Sequence, residues 1–251
     1  IVDRDRLRAK FIRSNFFDLR SELAKAGEPN TFNATLRKVD GVKIASSNDF
    51  DSQTGELKNN DVLLLSESQA DELVKELHSA DWTVTDIKEK PRTSNPKPPF
   101  TTSTLQQEAS RKLRSSARQT MSTAQKLYEN GFITYMRTDS THLSEEAVFG
   151  SRKVIKNLYG DEYLPDKAIQ YSTKVRNAQE AHEAIRPAHR EFRSVDDVQK
   201  VLGDDASKLY DLIWKRTVAS QMKSAKLMQT AVTIENQKAE AKLHIVGRND
   251  E

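Results

Sequence analysis

Apolar and polar residues alternate in two widely separated parts of the chain. The alternation typical of β-strands occurs in FFDLRSEL (16–23), in TFNATLRKV (31–39) and, near the other end, in TAVTIE and AKLHIV. Asp40 and Gly41, followed by VKIA, are a strong hairpin signal after the second of these segments. After a short helical start, the chain is therefore predicted to be rich in strands towards both ends.

One helix and one further strand are predicted within the first of these regions. The helix begins at Ser68 and places Leu73, Val74 and Leu77 on one face. Residues 81–90 then return to the alternation of a strand. The first region is therefore predicted to be mainly β-structure with one amphipathic helix.

Four prolines between residues 91 and 100 mark a boundary, because proline does not extend a helix or a central strand. Beyond them the apolar residues recur at helical spacing. Ser103 with Gln106 is predicted to form a capping box, and a stripe of apolar residues then ends at Asn130-Gly131. The stripe consists of Met121, Ala124, Leu127 and Tyr128. Later helices are predicted to start near Ser144, at Ser194 and before Ala206.

The order of elements predicts an α+β protein with more than one domain. Residues 28–97 and 228–251 form a discontinuous β-rich domain if the last strands pair with the first, and residues 98–227 are a mainly helical module inserted into it. Residues 1–27 are expected to be the end of a preceding helical domain. Both ends of the sequence resemble cuts in a longer protein, since the chain starts without Met in the middle of a pattern.

Composition excludes several classes of protein. The absence of cysteine rules out disulfides and thiolate metal sites and fits a reducing cytoplasm. No apolar stretch approaches the roughly 18 residues that a membrane span needs, so no membrane partner is expected. The net charge is only +3, but Lys88 to Arg118 contain eight basic residues against two acidic ones. Such a block suits a polyanion, and a solvated linker with a helix face would have the same composition.

Candidate chemistry is concentrated in GFITYMRTDST, residues 131–141. If FITYM is an extended strand, Tyr135 and Arg137 project to the same side. A tyrosine hydroxyl, with a pKa of about 10, is a weak nucleophile unless its transition state is stabilised. Arginine offers a planar fork of donors that matches phosphate oxygens. The pair therefore suits attack on a phosphodiester, although a half-buried strand aromatic beside a solvated arginine has the same spacing.

A second group of polar residues lies in NAQEAHEAIRPAH, residues 177–189. If this segment is a helix, His182 and Arg186 lie one turn apart on one face, with Glu183 beside them. A histidine and an arginine that converge on one phosphate can donate a proton and neutralise charge. An ordinary exposed helix would show the same pattern.

No metal site is predicted in this chain. His182 and His189 do not have the spacing of a helical zinc pair, and there is no cysteine to complete a site. The segment NDFDSQTGE (48–56) is faintly similar to a calcium loop, but its glycine and its twelfth position do not fit one. It is predicted to be a polar turn.

The sequence from PPFTTSTLQQEASRKLRSS through ITYMRTDSTHLSEEAV to AQEAHEAIRP resembles the catalytic tyrosine region of bacterial type IA DNA topoisomerases. A looser likeness, in IVDRDR and LYDLIWKRTVASQM, extends to most of the chain. The resemblance implies an enzyme that relaxes negatively supercoiled DNA. Such an enzyme cleaves one strand through a 5′-phosphotyrosine intermediate, passes DNA through the break and rejoins it. We expect a cytoplasmic, monomeric protein whose partner is single-stranded DNA.

The resemblance also implies roles for individual residues. Tyr135 matches the nucleophile, Arg137 matches the arginine at the scissile phosphate, and His182 matches the active-site histidine. The residues assigned to DNA binding are Arg137, Asp139, Arg186, Arg111 and Lys112. The implied fold is a β-rich arch that carries the tyrosine module, with its helix-turn-helix-like (CAP-like) core, as a gate.

Mg²⁺ is implied for the intact enzyme, with its ligands in a toprim domain that this sequence lacks. The chain itself is expected to bind no metal and, alone, to be inactive in relaxation. The alternative is a non-enzymatic DNA-binding module in which residues 103–130 form a helix-turn-helix and no covalent adduct arises. A tyrosine recombinase is disfavoured, because here the tyrosine comes first and the histidine and arginine are spaced H-x-x-x-R.

Overall fold

Helices and strands both occur along the chain, which confirms the α+β class. The structure is a computed structural model that describes residues 2–78, 81–171, 183–236 and 241–250, the last segment by its backbone alone. The chain divides into two compact units, one comprising Ile1–Arg92 with Lys226–Glu251 and the other Thr93–Ala225. Within the described residues, no helix is both long and apolar enough to cross a membrane.

The first unit is built on a seven-stranded sheet with the order β4-β3-β2-β7-β6-β5, in which β1 also pairs with β2. Its strands are β1 Arg20–Ala24, β2 Thr31–Val39, β3 Val42–Ile44, β4 Val62–Leu63, β5 Thr83–Ser94, β6 Ala225–Asn236 and β7 Ala241–Asp250. Its helices are α1 Val2–Lys10 and α2 Glu67–Leu77, with a short 3-10 turn at Ser47–Asp49. β7 pairs antiparallel with both β2 and β6, so the final strands do join the first region as predicted.

The predicted hairpin joins β2 to β3. Asp40 and Gly41 both have positive φ, 50° and 73°, as the two central residues of a type I′ turn require. Alternate residues of β2, Ala34 and Leu36, are buried together with Ile234 of β6. The alternating pattern read from the sequence is thus the pattern of burial in the sheet.

The proline segment behaves differently from the prediction. β5 does not end at residue 90 but continues through Pro91 to Ser94. β5 is the last strand in the sheet order, and a proline is tolerated in an edge strand because one side of it has no ladder to complete. The remaining three prolines lie after the strand.

The described residues of the second unit form five helices. They are α3 Thr102–Leu113, α4 Ala117–Glu129, α5 Glu145–Leu158, α6 Val195–Leu202 and α7 Asp204–Ala219, with a 3-10 turn at Asp161–Tyr163. α7 packs against the other four helices. The fully buried side chains of its core include Phe100, Leu105, Leu127, Tyr210 and Ile213. This core supports the segment that carries Tyr135, since Phe132, Ile133 and Met136 are buried in it.

Several predicted element boundaries are wrong by a few residues. α2 is capped by Ser66 and α3 by Thr101, so the predicted starts at Ser68 and Ser103 come two residues late. Each start lies in a run of hydroxyl side chains, and the burial of Ala70 and Leu105 selects which of them becomes the cap. Residues 16–19 of the first predicted strand are not in a strand. The helix start predicted near Ser144 and the cap predicted at Ser194 are confirmed.

Candidate active site

Tyr135, Arg137 and Asp139 are exposed on one segment, while Met136 between the first two is buried. Gly131, with a φ of 71°, ends α4 and turns the chain into this segment. The segment bends at Phe132, Thr134 and Met136 and forms only an isolated bridge, from Ile133 to Pro187, which corrects the strand predicted from FITYM. The alternation of exposure nevertheless puts Tyr135 and Arg137 on the solvent side together, as the two-residue spacing predicts.

A second tyrosine lies against the candidate nucleophile. The rings of Tyr128 and Tyr135 are 5.3 Å apart at 68°, an edge-to-face contact. The sequence pattern placed Tyr128 in the apolar stripe of α4, but its side chain is 43% exposed, close to the 45% of Tyr135. Among the described residues, neither hydroxyl has a hydrogen-bond partner. The Tyr135 hydroxyl is therefore accessible and not occupied by a structural contact with that part of the chain.

The backbone just before Tyr135 is bonded to the second motif. Thr134 N donates to Arg186 O (2.9 Å), and Arg186 N donates to Thr134 Oγ1 (3.0 Å). The Thr134 hydroxyl in turn donates to Ala184 O (2.7 Å). Ala188 N donates to Phe132 O (2.8 Å). The two motifs are thus some fifty residues apart in the sequence but lie side by side in the fold.

The backbone just after Tyr135 is bonded to the first turn of α3. The hydroxyl of Thr102 donates to Met136 O (2.9 Å) and accepts from Thr138 N (2.9 Å). Thr102 N donates to Thr138 O (2.9 Å). The main chain is therefore held on both sides of the tyrosine and the arginine.

Arg186 is not on a helix with exposed neighbours. The described part of its predicted helix, from residue 183, is extended and forms isolated bridges at Ile185 and Pro187, so the helix prediction is wrong there. Thr134 and Phe100 take up the backbone groups that a helix would have used internally. His182 lies outside the described residues, and its role stays a prediction.

The guanidinium of Arg186 lies inside the protein, where the residue is only 5% exposed. Its Nη2 donates to Glu183 Oε2 (2.7 Å) and to Ser144 Oγ (3.2 Å), and its Nη1 donates to Pro187 O (2.9 Å). These contacts bind the second motif to the start of α5. The DNA-binding role of Arg186 stays a prediction, and the geometry instead gives this side chain an internal partner.

Glu183 holds this cluster together electrostatically. Ser144 N, at the cap of α5, donates to Glu183 Oε1 (2.7 Å). Burial acts to raise the pKa of Glu183, but the hydrogen bonds from Ser144 and the ion pair with Arg186 outweigh it and lower the pKa below its ordinary value. Folding therefore stabilises the ionised form of Glu183 relative to its protonated form.

Replacing Glu183→Gln should destabilise the second unit by about 2 kcal/mol near pH 7, because it leaves the Arg186 guanidinium unpaired. This is below the roughly 3–5 kcal/mol of a fully buried pair, since 27% of the Glu183 side chain is exposed. The folded-state pKa is the lower one, so the stabilisation is present above the ordinary glutamate pKa of about 4.3 and is lost as the pH falls below it. At a pH below that value, the difference in unfolding free energy between the wild-type and Glu183→Gln proteins should become smaller.

Urea denaturation at pH 7 and pH 3 measures this difference. A Trp82→Phe background leaves Trp214, which packs against the helical core, as the only tryptophan and so reports on the second unit. An equal difference in unfolding free energy at both pH values would contradict the assignment to ionised Glu183.

The acidic segment 48–56 is a turn, as predicted. Asp49 pairs with Lys43 and accepts from Ser46, contacts that lower its pKa to about 2. Asp51 accepts from the backbone of Gln53 (2.7 Å) and Thr54 (2.9 Å). Both carboxylates therefore accept hydrogen bonds from neighbouring residues of the same turn region. In the described part of the chain no three His, Cys, Asp or Glu side chains are grouped so that they could hold a metal ion.

The basic block between Lys88 and Arg118 is divided between the two units. In the second unit, Arg111 and Lys112 are exposed in the last turn of α3. Lys112 pairs with Glu108 at 3.1 Å, while a three-residue connection, 114–116, leads to α4. The assignment of α3 and α4 to a helix-turn-helix stays a prediction. The exposed positions of Arg111 and Lys112 suit contacts to phosphates.

Sequence reasoning missed the residues that hold the Tyr135 segment in place, namely Thr102 and Thr134. Thr102 belongs to the run TTST, in which one hydroxyl is enough to cap a helix. The surplus of hydroxyls in that run was the available signal. Their partners are backbone groups far along the chain, and no local pattern identifies such partners.

Comparison with known proteins gives consistent results. A family model described as DNA topoisomerase matches residues 1–249. The chain is 50% identical over 241 residues to DNA topoisomerase 1 of Synechocystis sp., covering 96% of the chain and 26% of that protein. It is also 50% identical over 232 residues to DNA topoisomerase 1 of Mycolicibacterium smegmatis, covering 90% of the chain and 25% of that protein. The chain thus spans about a quarter of the length of the curated relatives it matches.

The fold is similar to that of a solved structure. Full-length topoisomerase I from Thermotoga maritima, in a monoclinic crystal form, superimposes with a TM-score of 0.67 at 30% sequence identity. The match covers 99% of the chain and 36% of that protein. Both units are therefore included in the likeness.

Proposed function

Because the chain belongs to the DNA topoisomerase family, we propose that it is the part of a type IA enzyme that carries the nucleophile, Tyr135. The observation that carries this proposal is an exposed tyrosine hydroxyl two residues from an exposed arginine, on a main chain bonded on both sides. The substrate is a single-stranded segment of negatively supercoiled DNA. The enzyme acts on it as a monomer in the bacterial cytoplasm.

Cleavage is a transesterification that conserves the energy of the broken bond. The Tyr135 oxygen attacks the phosphorus of a phosphodiester, and its proton passes to a base or to water. The bond between phosphorus and the 3′ oxygen breaks, and that oxygen leaves as a 3′ hydroxyl after taking up a proton. Tyr135 is left joined to the 5′ phosphate. Rejoining reverses the same steps after another strand has passed through the break.

Arg137 supplies charge where the reaction needs it. The attacked phosphate carries additional negative charge in its transition state, and a pre-positioned guanidinium stabilises that charge. Within the described residues, the Arg137 side chain has no hydrogen bond or ion pair, so its donors are available to phosphate oxygens. His182 is proposed to act at the same phosphate, as a proton or hydrogen-bond donor.

The described residues of this chain do not form a binding site for Mg²⁺. The Asp49 and Asp51 carboxylates are engaged in their own turn, and no other suitable group of ligands is found among the described side chains. We propose that the metal ligands belong to another part of the intact enzyme, in a toprim domain. The chain alone should then not relax supercoiled DNA.

The experiment that tests the proposal is a covalent trap. The full-length enzyme that contains this chain is incubated with a labelled single-stranded oligonucleotide and denatured, and the adduct is digested with trypsin. The labelled peptide should be LYENGFITYMR, Leu127–Arg137, with the nucleotide on Tyr135 rather than Tyr128. The chain alone provides a second arm, in a plasmid relaxation assay that should show no product. Tight DNA binding by the full-length protein without any adduct would favour the non-enzymatic binding module instead.

The double variant Arg111→Ala/Lys112→Ala should weaken single-strand binding by the full-length enzyme. The logarithm of the binding constant falls linearly with the logarithm of the salt concentration, and each lost phosphate contact makes this slope shallower by about 0.7. Loss of two contacts should therefore reduce the magnitude of the slope by roughly 1.4. The cleavage rate at saturating DNA should stay unchanged. Fluorescence anisotropy across a series of salt concentrations measures the slope.

Lys153→Ala/Lys156→Ala is the charge-matched control, because both lysines are exposed on α5 and outside the basic block. This control should keep the wild-type slope. An equal loss in both double variants would show that net charge, rather than a contact at the end of α3, governs binding.

A further inference from the structure

The first turn of α3 contacts the candidate active site through Thr102. Thr102 is the first residue of the helix, and Thr101 before it is the cap, accepting from Thr104 N at 3.3 Å. The Thr102 hydroxyl is thus not needed to cap the helix. It is half-buried and directed at the main chain around Arg137.

The hydroxyl makes its bonds on both sides of Arg137. Its one proton is given to Met136 O at 2.9 Å, with Thr138 O next nearest at 3.1 Å, and its lone pair accepts the proton of Thr138 N at 2.9 Å. The helix backbone adds the bond from Thr102 N to Thr138 O, which satisfies an amide that the first turn of a helix leaves unpaired. One side chain therefore spans the two peptide groups of Arg137.

Rigid elements support this contact. Phe100, two residues earlier, is fully buried, and its carbonyl accepts from Ile185 N at 2.8 Å. Leu105, in the same turn of α3, is also fully buried. Thr102 is consequently fixed to the core, whereas the segment it bonds, 135–139, has alternate side chains in solvent.

We propose that Thr102 is a positioning residue for DNA cleavage and rejoining, which holds the Arg137 main chain so that the guanidinium meets the reacting phosphate. The inference rests on the proposed function of Tyr135 and Arg137. A misplacement of about 1 Å is enough to slow a reaction by about 100-fold, so a loosened main chain reduces the rate of chemistry more than it reduces binding.

Thr102→Val tests this in the full-length enzyme, because valine keeps the shape and removes the hydroxyl. The rate of adduct formation at saturating single-stranded DNA should fall by about 10- to 100-fold. The dissociation constant for an uncleavable oligonucleotide should change by less than about threefold, since no DNA contact is lost. Thr102→Ser restores the hydroxyl without the methyl group and should recover most of the wild-type rate.

Thr120→Val is the control for loss of a threonine hydroxyl in the same unit. Thr120 is buried on α4, and its hydroxyl bonds Ser116 O at 2.9 Å, away from the Tyr135 segment in sequence and bonding. This variant should lower thermal stability and leave the cleavage rate at the wild-type level.

The outcomes separate the two proposals. If wild-type enzyme forms no adduct, the proposed function fails. If wild type forms the adduct and Thr102→Val forms it at the same rate, the positioning role alone is overturned. A slow Thr102→Ser variant would overturn it too, because the methyl group and not the hydroxyl would then matter.

Discussion

Full-length enzyme carrying Tyr135→Phe should form no covalent adduct with single-stranded DNA and should not relax supercoiled plasmid. The substitution removes the oxygen that is proposed to bond to phosphorus, so activity should fall by at least about 10⁴-fold, as when other enzymes lose a nucleophile. Folding should be unaffected, because the side chain is exposed and the phenyl ring keeps its edge-to-face contact with Tyr128. Binding of uncleaved oligonucleotide should stay within about twofold, since binding and chemistry use different atoms.

The neighbouring tyrosine is a close control for this variant. Tyr128→Phe removes the hydroxyl of a residue of nearly equal exposure whose ring lies 5.3 Å away, and this variant should cleave at close to the wild-type rate. A denaturing gel that resolves the labelled adduct compares the three proteins directly. An adduct with the Tyr135→Phe protein, or its loss only in Tyr128→Phe, would assign the nucleophile to another residue.

Arg137→Ala should slow cleavage and rejoining by about 10²- to 10³-fold, the usual cost of removing one group that stabilises transition-state charge. Arg137 is exposed and has no bonded partner among the described side chains, so protein stability should change by no more than about 0.5 kcal/mol. Arg137→Lys keeps the charge but loses the planar fork and should be intermediate in rate. Rapid-quench measurement of adduct formation and of rejoining gives both rate constants.

Arg118→Ala provides the comparison for this series. Arg118 is exposed in the first turn of α4 and belongs to the same basic block, so its loss should weaken DNA binding without altering the cleavage rate at saturating DNA. Equal effects of the Arg137 and Arg118 substitutions on that rate would show that general positive charge, and not a contact at the phosphate, supports the reaction.

Several predictions that hold depend only on neighbours in the sequence. The hairpin at Asp40-Gly41 follows from two residues that tolerate positive φ, and the caps at Ser144 and Ser194 follow from one side chain and the helix after it. At the candidate site, the predictions that fail depend on distant partners. FITYM has the composition of a strand, yet its backbone groups are bonded to Thr102 and to the segment around Arg186 instead of to a sheet.

The second motif shows the same distinction. Residues 183–187 have a helical pattern of charges, but Phe100 and Thr134 pair with their backbone and leave Arg186 in the interior, bonded to Glu183. A burial of this kind follows from tertiary contacts, which outweigh the small differences in helix propensity between residues.

The residue types of the candidate site and the class of fold follow from the sequence alone. The spacing of Tyr135 and Arg137 and the long motifs around them involve only residues that are close together in the sequence. They are therefore recognisable without the structure. The bonds of Thr134 and Thr102 to the main chain around Tyr135 and Arg137, and the burial of Arg186, are visible only in the folded protein. Hydrogen bonds between residues far apart in sequence arise only when packing of the core brings their backbones together.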